Sequence, residues 1–108
     1  MNDIKYVPCT VATGQTTSSA TSVGSHNTRL VGIVIPAEFD GTAVSIHACD
    51  TNDGTFYAVD ALTAMNASAS TYLAIAPQDS AGLKWVKIVC GTAQTGATAF
   101  KLATANVL

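Results

Sequence analysis

The sequence predicts an all-β protein, an antiparallel β-sandwich or jelly-roll-like fold of about seven to eight strands. Three observations carry this. Short apolar runs recur along the chain, bounded by clusters of Gly, Pro, Asn and Asp. Two of the runs, residues 43–49 and 84–90, alternate in the period of two expected of a strand with one covered face. No stretch shows the apolar periodicity of an amphipathic helix.

The elements follow in order. A first strand is expected over residues 4–12, with Pro8 inside it; a residue lacking an N–H donor suits an edge strand or a bulge. Residues 14–28, GQTTSSATSVGSHNT, are polar and low in complexity, and read as a long loop or flexible arm. Residues 29–35, RLVGIVI, are apolar on both faces and end at Pro36. Asp40-Gly41 then marks a turn. In residues 43–49, Val44, Ile46 and Ala48 face one way, and Ser45, His47 and Cys49 the other. DTNDG, residues 50–54, is a turn cluster in which the Asp53-Gly54 pair predicts a left-handed glycine, and TFYAVDAL is the return strand. Residues 63–71 form a polar connection. Residues 72–76 make a short strand closed by Pro77. In residues 84–90, Val86, Ile88 and Cys90 share one face, and Trp85, Lys87 and Val89 the other. The last strand carries Phe100 and Leu102 on one side. The organisation expected is a single domain, with an N-terminal strand and Ser/Thr-rich arm over 1–28 and a sandwich body over 29–108.

The composition narrows the function classes. Only 12 of 108 residues are charged, less than half the usual share, while Ala, Thr, Ser and Gly make up 49. Loss of charge marks surface that becomes covered in assemblies. The formal net charge of −2, with five dispersed cations, argues against nucleic acid, whose binding needs clustered Lys and Arg. The start has no basic segment followed by an apolar run, and no stretch is long and apolar enough to cross a bilayer as a helix. The expectation is a soluble chain made in the cytoplasm. Cys9, Cys49 and Cys90 are an odd set with no CxxC pair, which fits neither a disulfide framework nor a zinc site. They read as small buried hydrophobes.

Catalytic signals are weak. The histidines are His26, in the polar stretch, and His47, on a strand face with Ser45 and Cys49. A nucleophile needs a base beside it and a third group to orient that base; two neighbours on one polar strand face do not make that set. Asp50 and Asp53 belong to a hairpin turn, where Asp bonds its own backbone. DTNDG lacks the ligand alternation and distal Glu of a calcium loop. Asn66-Ala67-Ser68 matches a glycosylation sequon, without a secretory signal to give it meaning. No catalytic residue, cofactor or metal site is expected, and the chain reads as a building block, not an enzyme. Tyr57, Tyr72 and Trp85 are candidates for a sugar-binding surface, with core and interface packing as the plainer reading.

Three stretches resemble small virion proteins of tailed bacteriophages. GIVIPAEFDGTAVSIHACDTNDGTFYAV, residues 32–59, has an apolar strand, a Pro-Ala turn, an alternating strand, an Asp-Gly hairpin and an aromatic return strand. KWVKIVCGTAQTGATAFKLA, residues 84–103, looks like the closing hairpin of such proteins. The Ser/Thr-rich lead-in before residue 29 is the third. The resemblance implies a capsid decoration, or cement, protein, or a related head or tail accessory protein. It implies a homotrimer that binds the major capsid protein at junctions on the outside of the head, in a virion assembled in the host cytoplasm. It carries over no functional residue. The alternative is a tail or baseplate accessory module that binds host-surface carbohydrate.

Overall fold

A computed structural model describes residues 4–24 and 28–106. Nine strands are present among them: β1 (Ile4–Val11), β2 (Thr21–Ser22), β3 (Thr28–Ile35), β4 (Ala43–Cys49), β5 (Tyr57–Ala58), β6 (Met65–Asn66), β7 (Thr71–Ala74), β8 (Trp85–Cys90) and β9 (Thr98–Asn106). Asp60–Leu62 forms a single 3-10 turn, and a four-residue helix α1 covers Pro77–Ser80.

The strands form two antiparallel sheets. The first is ordered β1-β9-β3-β7; the second is β2-β8-β4-β5, with β6 also pairing β4. β5 pairs His47 and Ala48, and β6 pairs Ala43 and Val44, so the two occupy successive positions along one edge of β4. Counted as one interrupted strand, they leave eight strand positions. The chain changes sheet at every connection except that from β4 to β5. This is the jelly-roll arrangement of two Greek keys.

The alternations read from the sequence set the faces. Val44 and Ile46 of β4, Val86, Ile88 and Cys90 of β8, and Phe100 and Leu102 of β9 all point into the core. They meet Leu30, Ile33 and Ile35 of β3 and Cys9 and Val11 of β1. Burial of each such aliphatic side chain favours folding by about 1.5–3 kcal/mol. β3 carries a register shift between Leu30 and Gly32, a bulge that leaves Val31 as the extra residue. β1 pairs with β9 over its whole length, and Pro8 therefore lies on an outer strand of the first sheet, the place where a missing N–H costs least.

The return strand expected over 55–62 shrinks to Tyr57–Ala58, followed by the Asp60–Leu62 turn, and two further expectations change. Residues 14–24 are not a free arm. Ser18 donates its N–H to the Ile88 carbonyl, Thr16 accepts from Cys90 N–H, and Val23 donates to Lys84 O, so the segment runs along β8 as the outer part of the second sheet. Ser18 and Val23 are buried. With β1 embedded as well, most of residues 1–28 belongs to the sandwich; Ser25, His26 and Asn27 lie outside the described residues. The physical reason is that backbone pairing is blind to side-chain polarity, and the Ser18 hydroxyl accepts the Ile88 N–H at 2.9 Å.

The second change is at Gly54, which does not adopt the left-handed conformation. Gly14, Gly41 and Gly82 do, and Gly41 serves the expected Asp40-Gly41 turn. Gly54 matters for space: a Cβ there would sit 2.6 Å from both Cys49 Sγ and Thr51 Oγ1.

Candidate functional site

The polar face of β4 carries the histidine and the nucleophile candidates that the sequence offered. Ser45, His47 and Cys49 do share the outer face of the second sheet, since the alternate residues of β4 are buried. Each is otherwise engaged or isolated from a partner set. The Ser45 hydroxyl accepts the Ala64 N–H at 2.8 Å, which holds Ala64 in a left-handed turn at φ 52°. Cys49 Sγ turns to Asp50 Oδ1 at 3.6 Å and Thr51 Oγ1 at 3.7 Å. Asp50 and Asp53 are exposed on the loop. No group of three or more His, Cys, Asp and Glu side chains that could hold a metal occurs among the described residues. His26 lies outside them.

The cysteines are free. Cys9 and Cys90 are buried as small hydrophobes, with the Cys9 thiol donating to Ser18 Oγ at 3.1 Å. Burial, and next the nearby Cys9 thiol, push the Cys90 thiol up to about 11, so it stays protonated and unreactive near neutral pH. Cys49 and Cys90 cannot pair. In the β4–β8 ladder Cys49 lies opposite Trp85 and Cys90 opposite Val44, at the two ends, and they face opposite sides of the sheet.

One end of the sandwich is organised by a residue the sequence reading passed over. Gln94, 1% exposed, joins three loops. Its Oε1 accepts from Asp40 N–H at 2.9 Å and from Thr98 Oγ1 at 2.9 Å, and its Nε2 donates to Asp40 O at 2.8 Å and Thr92 O at 2.9 Å. Its own backbone bonds Gly14 and Gln15. The Asp40 carboxylate accepts the N–H and hydroxyl of Thr95, at 2.9 and 2.8 Å, and these bonds hold its carboxyl below the usual range. This is a structural staple with every amide atom satisfied, not a binding pocket.

The aromatic residues divide by chemistry. Phe39 and Phe100 meet edge to face in the core, with ring centroids 5.6 Å apart. All three tyrosines are on the outside: Tyr57 is 71% exposed, Tyr6 55% and Tyr72 50%. The expected surface of Tyr57, Tyr72 and Trp85 does not form. Trp85 lies on the outer face of the second sheet, Tyr72 on the outer face of the first, and Tyr57 on the β5 edge. On the same strand as Trp85, the Lys87 ammonium lies 4.6 Å from the centroid of the Phe56 ring.

Instead, the structure brings Tyr6 and Tyr72 to one face. The register of the first sheet lines up Tyr6, Ala103, Gly32 and Ala74 across β1, β9, β3 and β7 on its outer side. The next row is Pro8, Lys101, Val34 and Tyr72. A Cβ on Gly32 would collide with the Tyr72 hydroxyl and ring, so Tyr72 leans across β3 and lies over the glycine. Partial burial and the neighbouring Tyr6 phenol both raise the Tyr72 phenol above its ordinary range. Ala103, on an outward position, is 0% exposed beneath these side chains. Nothing local signalled this pairing; Tyr6 sits in a strand whose partner register the sequence alone does not specify.

No protein-family model matches the chain, and no curated protein or solved structure matches it.

Proposed function

We propose that the chain is a structural virion protein, a capsid decoration or cement protein that binds the outside of a phage head and stabilises it. One observation carries the reading: the flank of the sandwich from Tyr57 to Thr71 is almost uncharged. Its exposed residues are Tyr57, Ala58, Asp60, Ala61, Thr63, Ala64, Asn66, Ser68, Ala69, Ser70 and Thr71, with Asp60 the single charge. Tyr57 stands out from it more than any other large hydrophobic side chain of the described residues. An aromatic anchor in a charge-poor surround has the composition of an interface core.

The flank is also a sheet edge. β5 and β6 are two residues each, and a broken edge of this kind resists uncontrolled strand pairing while leaving side chains free to dock. The partner in this reading is the major capsid protein, with the chain itself as a homotrimer at the junctions between subunits. A protein that binds the assembled shell and not the free subunits shifts the balance toward the shell by mass action.

Co-sedimentation with undecorated shells of the same virus tests it. Saturable binding at a fixed ratio to capsid subunits is expected, and Tyr57→Ser should weaken it by about tenfold, the size of a central aromatic anchor. Absence of binding at tens of micromolar would remove the decoration reading.

A further inference from the structure

We infer that the outer face of the first sheet binds an acidic saccharide. This proposal does not rest on the decoration reading and uses a different surface.

The face has three properties that point to one ligand class. The first is the pair of half-exposed tyrosine rings. Tyr72 lies over Gly32, held close to the sheet because glycine leaves room for it, and stays half exposed. The negative face of an aromatic ring attracts the polarised C–H bonds along one side of a sugar ring. The phenol hydroxyls of Tyr72 and the nearby Tyr6 supply donors and acceptors for sugar hydroxyls.

The second property is charge. Lys101 stands in the same outward row as Tyr72, and Arg29 stands opposite Ala105 in the outward row that begins with Ile4. No Asp or Glu occurs in the sequences of β1, β3, β7 or β9, so the charged side chains of these strands are all cations. In a chain of net charge −2, this face selects an anion.

The third is size. From Tyr6 to Tyr72 is three strand spacings, about 14 Å, and from the Ile4 row to the Lys101 row is four residues, about 13 Å. The resulting patch of roughly 200 Å² is far below the ~800 Å² that each partner contributes to a stable protein interface. It suits a short stretch of saccharide lying across the strands. Acid groups along such a stretch would be held by Lys101 in one row and by Arg29 four residues away in the other, while a neighbouring sugar ring stacks on Tyr72.

The test is a glycan array that includes uronate-bearing, sialylated and neutral oligosaccharides and a single-stranded oligonucleotide, followed by calorimetric titration of the best ligand. Carboxylate-bearing saccharides are expected to bind and their neutral counterparts to bind at least about tenfold more weakly, with affinity falling as salt rises. Lys101→Gln and Tyr72→Ser should each weaken binding by about tenfold; both side chains are exposed, and a thermal melt checks that the sandwich is intact. Binding of the oligonucleotide alone, no acidic glycan bound at millimolar concentration, or equal affinity in both variants overturns the proposal. Shell co-sedimentation by Lys101→Gln should be unchanged, so the two proposals fail separately.

Discussion

The two sheets are built from different materials. The first has three long strands, β1, β3 and β9, joined by long ladders of backbone bonds with one bulge at Val31. The second has two strands of comparable kind, β4 and β8, flanked by pieces of two residues each. There, side chains complete what the ladders do not. Ser18 takes the Ile88 N–H, Ser45 takes the Ala64 N–H, and Thr63 donates its hydroxyl to Val59 O. The difference teaches that a hydroxyl-rich segment can occupy a strand position when its side chains replace the missing ladder bonds. It also separates roles: the regular sheet offers a flat outer face, and the irregular sheet offers loops and a broken edge.

Removing residues 1–11 tests the first sheet most severely. Without β1, Phe100 and Leu102 lose a covering strand and β9 becomes an edge. The shortened chain is expected to lose its cooperative thermal transition, read by circular dichroism; a sharp melt in the shortened chain would show that the long ladders contribute less than their length suggests.

Gln94→Leu attacks the staple at one end of the sandwich, where the loops after β1, β3 and β8 meet. It strands the Asp40 amide and the Asp40 and Thr92 carbonyls, and should cost about 3 kcal/mol, a drop of roughly 10–20 °C in Tm. A change under about 1 kcal/mol would mean that water replaces the amide at no cost, and that the buried amide is not what holds the loops together.

Ser18→Ala sharpens the contrast between ladder bonds and side-chain bonds. It leaves the Ile88 N–H without the hydroxyl and should cost about 1–2 kcal/mol by urea unfolding. Amide exchange at Ile88 should accelerate while exchange along β9 stays as slow as before.

The last effect is nil at neutral pH. Cys90's thiol is raised from 9.0 to about 11 in the folded chain, so the fold is favoured fully below pH 9 and loses this contribution as pH rises from 9 through 11. Cys90→Ala, where no thiol titrates, should flatten the alkaline decline in stability. An equal decline in both proteins would assign it to other groups.

These cases show how much was legible. The alternation in residues 43–49 and 84–90 gave the right faces because solvent and core impose opposite demands on successive side chains. Asp40-Gly41 was readable as a turn because the left-handed conformation favours glycine at that position. Gly54 was misread, since the same residue type serves a close approach to Cys49 and leaves no local mark to tell the two apart. Of the candidate aromatic site, Tyr72 was legible as one of three candidates for a sugar-binding surface, but its neighbour Tyr6 was not.

The chain by itself determined its all-β class, the buried faces of β4, β8 and β9, and a surface poor in charge. Those follow from local periodicity and composition, which act residue by residue. Only the tertiary structure decided that residues 14–24 lie along β8, that Gln94 is buried, and that Tyr6 and Tyr72 share a face. Each of these depends on a partner far away in sequence, and strand register between distant segments is set by the packing of the whole core.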